Sequence, residues 1–213
     1  MMEATQDQGR PQRGWTTIVS RKEATIVMIS SAAAAILTTA LSVAGIVGYF
    51  TGPVTLELPL AGEDQLVPGL ELESTGHYTS LEATIPELPA GPAELLAWGA
   101  VLNQVGVLAV LALVFLLAYR LRSAVLFTAE SVWMVGAGGA LLALAGTFGQ
   151  VLDGWALGRV AEMIAANGRT PGLSHGFAAE INATPLTIGL VMVLIAGVFQ
   201  YGRRLQQDTE GLV

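Results

Sequence analysis

In a chain this apolar, chemistry has to come from a few polar side chains, and one pair stands out. Asn103 and Gln104 lie inside an otherwise uncharged run from Glu94 to Tyr119. At about 1.5 Å of rise per helical residue, nine or ten residues of helix carry them close to the middle of a membrane crossing. Two amides at that depth either line a polar path or hydrogen-bond a neighbouring helix, and the second use is the commoner one in lipid. Acidic residues gather elsewhere, as Glu57, Glu63, Asp64, Glu71, Glu73, Glu82 and Glu87. Several carboxylates can hold calcium or a cationic ligand. Their spacing has no compact loop of the EF-hand kind, however, and a solvated acidic strand face is the simpler account. His77 and His175 stand alone. With no Cys in the sequence there is no thiol nucleophile, disulfide or zinc knuckle. Walker, HExxH and GxSxG patterns are missing too. We expect no catalysis, no cofactor and no metal ion.

Four apolar runs position these groups. They cover residues 24–50, 94–119, 131–151 and 184–202, each uncharged inside its ends. Runs of about 20 apolar residues are long enough to cross a bilayer, where only helices satisfy their own backbone hydrogen bonds. The fold class expected is therefore an all-α membrane protein, a bundle of four transmembrane helices. Hydrophobic residues make up 53% of the chain and charged ones only 13%, about half the share usual in a soluble domain. The net charge of −7 leaves no basic surface for direct nucleic-acid binding. Lipid is the first partner.

Direction follows from the bases. Arg10, Arg13, Arg21 and Lys22 precede the first run, Arg120 and Arg122 fall between the second and third, and Arg203 and Arg204 follow the fourth. Four crossings place these eight on one side and leave only Arg159 and Arg169 on the other. The positive-inside rule makes that first side cytoplasmic, with both termini, in the cell membrane. Trp15, Phe50, Trp98, Tyr119, Trp133, Trp155 and Tyr201 fall near the expected interfaces, where amphipathic rings prefer to lie.

The pieces between the spans have their own patterns. Residues 1–23 read as a disordered cytoplasmic tail. Residues 51–93 alternate apolar and polar in three places, at Val54–Leu58, Leu70–Glu73 and Leu81–Ile85, which predicts two or three short strands in a small β-rich outer loop. Residues 154–167 carry Trp155, Leu157, Val160, Ala161 and Ile164 at helical spacing, which predicts a short amphipathic outer helix ended by Asn167-Gly168. Phe127, Thr128, Glu130 and Val132 predict a capped, stapled start to span three. Small residues four apart, Gly136 with Ala140 and Gly139 with Ala143, predict close helix approach, as do Ala32–Ala35, Ala40 and Ala44 in span one. The same faces would also serve a homo-oligomer.

The carboxyl end, PLTIGLVMVLIAGVFQYGRRLQQDTEGLV, resembles the last span and tail of the bacterial membrane family catalogued as domain of unknown function 2975. The residues that carry the likeness are Phe199, Gly202, Arg203, Leu205, Asp208, Glu210, Gly211, Leu212 and Val213. A second matching segment runs from Arg120 to Leu142, with Ala124-Val125-Leu126 departing from the family's usual approach to Phe127. The resemblance implies architecture more than activity. It also implies a cytoplasmic partner, since such proteins are often encoded beside a small helix-turn-helix regulator. On that expectation the tail 203–213 is a docking peptide, with Arg203, Arg204, Asp208, Glu210, Leu212 and Val213 as its contacts. A solvated helix end is the plainer alternative. Two other roles stay open: a small transporter or channel subunit lined by Asn103 and Gln104, and an envelope sensor using the acidic outer loop.

Overall fold

The computed structural model describes residues 21–61, 80–122, 129–164, 176–177 and 181–210. Four long helices dominate it: α1 (Arg21–Thr51), α2 (Ala90–Arg122), α3 (Ala129–Met163) and α4 (Thr184–Glu210). All four are long and apolar enough to cross a membrane. The chain is a multi-pass membrane protein. Little of any helix is buried within the protein, and the exposed Ile, Leu and Val side chains are what lipid covers.

The helices pack in chain order. α1 lies on α2, α2 on α3 and α3 on α4, while α1 forms no comparable interface with α3 or α4. The bundle is therefore open along one side. Leu113 of α2, Val135 of α3 and Met192 and Ala196 of α4 form one apolar core. Glycines set how closely the backbones approach. A Cβ placed on Gly189 would lie 2.5 Å from the Gly139 carbonyl oxygen and 2.7 Å from the Ala143 Cβ. The small-residue stripe read in span three is thus used inside the molecule, against α4.

Two strands were legible from alternation, and they form. β1 (Val54–Ala61) and β2 (Ser80–Ile85) pair antiparallel with Leu58 opposite Leu81. Val54, Leu56 and Leu58 point inward and are buried with Leu96 of α2 and Ala156 and Val160 of α3. Outward, Thr55 and Thr84 share a hydrogen bond of 3.1 Å, and Ser80 donates to Glu57 at 2.6 Å. A two-residue strand, β3 (Gly176–Phe177), adds to the far end of β1 and was not anticipated. The Leu70–Glu73 alternation lies outside the described residues, as do the capping pair Phe127 and Thr128, the Asn167-Gly168 stop, His77 and His175.

One expected element is corrected. Residues 154–163 do not form a separate amphipathic helix; they continue α3 without interruption from Ala129. The interval between span and expected helix holds only Leu152 and Asp153, and neither breaks a helix. Gly154 and Gly158 cost helix propensity, but burial of Ala156, Val160 and Ala161 offsets that cost. Two further bounds move. α1 begins at Arg21, inside the stretch read as tail, and α4 runs on to Glu210.

Chain ends of the helices have local causes. The Asn182 side chain accepts from the Thr184 amide at 2.9 Å, a capping bond, and Pro185 follows in the first turn, where its missing N–H costs nothing. Gln150 of α3 accepts from the Asn182 amide at 2.6 Å. Gly146 leaves room for Pro185, because a Cβ there would lie 2.6 Å from the proline Cβ. At the opposite end, Arg120 pairs with Glu130 and donates to the buried Ser131 hydroxyl at 2.9 Å. That contact ties the last turn of α2 to the first turn of α3.

Candidate functional site

The amide pair is divided by its helix. Gln104 donates from Nε2 to the Thr38 and Thr39 hydroxyls of α1, at 3.2 and 3.0 Å. Those hydroxyls donate in turn to the Ala35 carbonyl, at 3.3 and 2.7 Å. Gln104 is therefore an interhelical clasp. Among the described residues Asn103 makes no such bond, and it is exposed. Four residues separate it from Gly99, which places it about 40° around α2 from the face that meets α3.

Gly99 marks the residue that sequence reading passed over. Asp153 lies two positions beyond the run 131–151 and looks like part of a loop in the sequence. In the structure it belongs to α3, is partly buried and lies against Gly99, where an added Cβ would collide with its carboxylate. The same crossing brings Gly149 to α2, with an added Cβ there 3.0 Å from the Gly99 carbonyl oxygen. Tyr49 of α1 packs against the apolar core under the sheet, as do Leu157 and Ile85. Among the described residues Asp153 forms no hydrogen bond or ion pair. The apolar lining of the sheet, with Leu157 and Ala156, closes over this end of the helices. An acidic group in that setting wants a cation or a proton.

Beside Tyr49 a cleft of about 300 Å³ opens between the end of α1 and the turn leading into α2. Phe50, Thr51, Gly52, Pro86, Glu87 and Leu88 complete its lining. Two larger grooves, of about 700 and 370 Å³, run between α1 and α2 nearer the middle and are lined almost wholly by Ala, Ile, Val and Leu. Ala32, Ala35, Ala40 and Ala44, the small residues of span one, lie along them.

At the basic end, Arg203 and Arg204 are on α4, which carries the backbone of Asp208 and Glu210 in the same helix. Arg203 is partly buried, and its Nε is enclosed without a hydrogen-bond partner among the described residues. Leu212 and Val213 lie outside those residues. The chain matches no protein-family model, and no curated protein or solved structure is significantly similar to it.

Proposed function

We propose that this chain is a non-enzymatic regulatory protein of the bacterial cell membrane, with both termini in the cytoplasm, related to the family that its tail resembles. It binds a cytoplasmic partner of helix-turn-helix type through the middle loop and the tail 203–213. The observation that carries this reading is the continuity of α4. The helix passes the interfacial Tyr201 and runs on to Glu210, about 13 Å of further rise, so the tail leaves the membrane as a rod. Deleting residues 205–213 is expected to abolish co-purification of cytoplasmic partners from native membrane. Undiminished recovery would sink the docking role.

A second reading is a sensor at the end that carries the sheet, placed outside the cell by the distribution of bases. The unpaired Asp153 carboxylate beneath the sheet favours it. A transport path has less support, since Gln104 is engaged in the α1–α2 clasp.

A further inference from the structure

The grooves between α1 and α2 are apolar along their length, and the basic end of the same seam supplies the charge they lack. Thr39 of α1 and Gln104 of α2 meet at the clasp, which fixes one level and one face on each helix. Eighteen residues separate Arg21 from Thr39, and eighteen separate Gln104 from Arg122. At about 3.6 residues per turn that is five whole turns, so Arg21 and Arg122 return to the faces that meet at the clasp. The two helices run antiparallel, which puts both bases at one level, about 27 Å from the clasp. Lys22 stands beside them, about 100° around α1 from Arg21. All three are exposed and form no ion pair among the described residues. The neighbouring charges lie elsewhere: Arg120 is held by Glu130 and Ser131 of α3, and Glu23 sits about 200° around α1 from Arg21.

Between the bases and the clasp lies the smaller groove, of about 370 Å³, with Ala32 and Ile36 of α1 and Leu111 and Phe115 of α2 among its walls. Ser31 at its near end is about 15 Å of rise below Arg21, and Ile36 about 22 Å. The hydrocarbon of one leaflet is about 15 Å deep, and the headgroup layer adds about 5–7 Å. An acyl chain hung from a phosphate at the level of Arg21 therefore ends between Ser31 and Ile36, inside this groove.

A groove facing lipid is filled by lipid or by another helix. A second copy in the same membrane would bring its own bases to this level, against Arg21 and Arg122, and like charges oppose that contact. An anionic headgroup is complementary, because phosphate accepts paired hydrogen bonds from guanidinium groups and bases at the end of a span attract anionic lipid. We propose that the α1–α2 seam binds one anionic phospholipid of the leaflet at the basic end. Its phosphate lies between Arg21 and Arg122 with Lys22 at the rim, and an acyl chain lies in the groove beside Ala32 and Phe115. The site is independent of the tail's docking role, and Arg203 and Arg204 take no part in it.

The full chain in a neutral detergent is mixed with dioleoyl phosphatidylglycerol or dioleoyl phosphatidylcholine, and native mass spectrometry counts the lipids retained. One phosphatidylglycerol is expected per chain, held at least about tenfold more tightly than phosphatidylcholine. Arg21→Gln combined with Arg122→Gln should weaken it about tenfold, and Arg122→Gln alone about threefold. Arg159→Gln removes a base from the other end of the molecule and should change nothing. Ala32→Phe fills the groove and leaves the bases in place; it should weaken phosphatidylglycerol about tenfold with an unchanged melting temperature, because Ala32 is exposed. Equal retention of the two lipids, or an Arg159→Gln loss as large as that of the paired variant, overturns the proposal. Undiminished binding in Arg122→Gln and the paired variant does so as well. Binding that survives Ala32→Phe means a headgroup held at the surface alone, and overturns the groove as the lipid's seat.

Discussion

The α3–α4 seam and the α1–α2 seam join helices of similar apolarity by different means. Between α3 and α4 the backbones meet directly, with Gly139 and Gly189 each lacking the Cβ that would hold them apart. Between α1 and α2 the helices leave grooves of several hundred Å³, and side chains bridge the gap through Gln104, Thr38 and Thr39. Shape joins the first pair and hydrogen bonds join the second. In lipid, where apolar surface has no water to avoid, close contact gains dispersion along its whole length, while a single clasp acts at one level. α1 is accordingly the helix with fewer constraints.

The sharpest break in this contrast is Gly189→Ala. The new methyl would meet the Gly139 carbonyl at 2.5 Å, so α4 must move away, at a cost of about 3 kcal/mol. A large fall in the unfolding midpoint in detergent is expected, and an unchanged midpoint would refute backbone contact as the joining device. Gly99→Ala tests the α2–α3 crossing and should cost less, about 1 kcal/mol, because the nearest atoms belong to the Asp153 side chain. Adding Asp153→Ser should recover part of that loss in the same measurement, and a purely additive double variant would place the strain elsewhere. The smallest effect is expected at the clasp. Gln104→Leu should cost about 0.6 kcal/mol, the usual worth of an interhelical hydrogen bond in a membrane protein. Cysteine crosslinking of α1 to α2 at the Thr39 level should become slower, while α3–α4 crosslinking stays the same.

The spans and β1–β2 were readable because each rests on a local pattern, an uncharged run in one case and alternation in the other. Val54, Leu56 and Leu58 alternate, and they are the residues buried under the sheet. The joining of span three to residues 154–163 was not readable. Asp153 looks like an end when charge is taken as the boundary of a span, whereas a helix continues wherever burial of later turns favours it. Gln104 was assigned to interhelical bonding on general grounds, but the choice of Thr38 and Thr39 depends on how α1 sits against α2. The candidate site was the least legible part. Gly99 and Asp153 are far apart in the chain, and only the packing of α2 against α3 brings them together.

The uninterrupted run of α3 keys the two ends of the molecule to each other. Val135 and Gly139 meet α4 near one end, and Ala156 and Val160 support the sheet near the other, all on one rod. Each residue of helix advances the azimuth by about 100°, so the angular phase between those faces is set by the number of residues separating them. One residue inserted between Val151 and Gly154 would swing the sheet's seat by roughly 100°, and four would leave it about 40° from its original bearing. A hinge at this point would have let each end choose its own bearing; the continuous helix makes any rotation at the sheet a rotation felt along the α3–α4 seam.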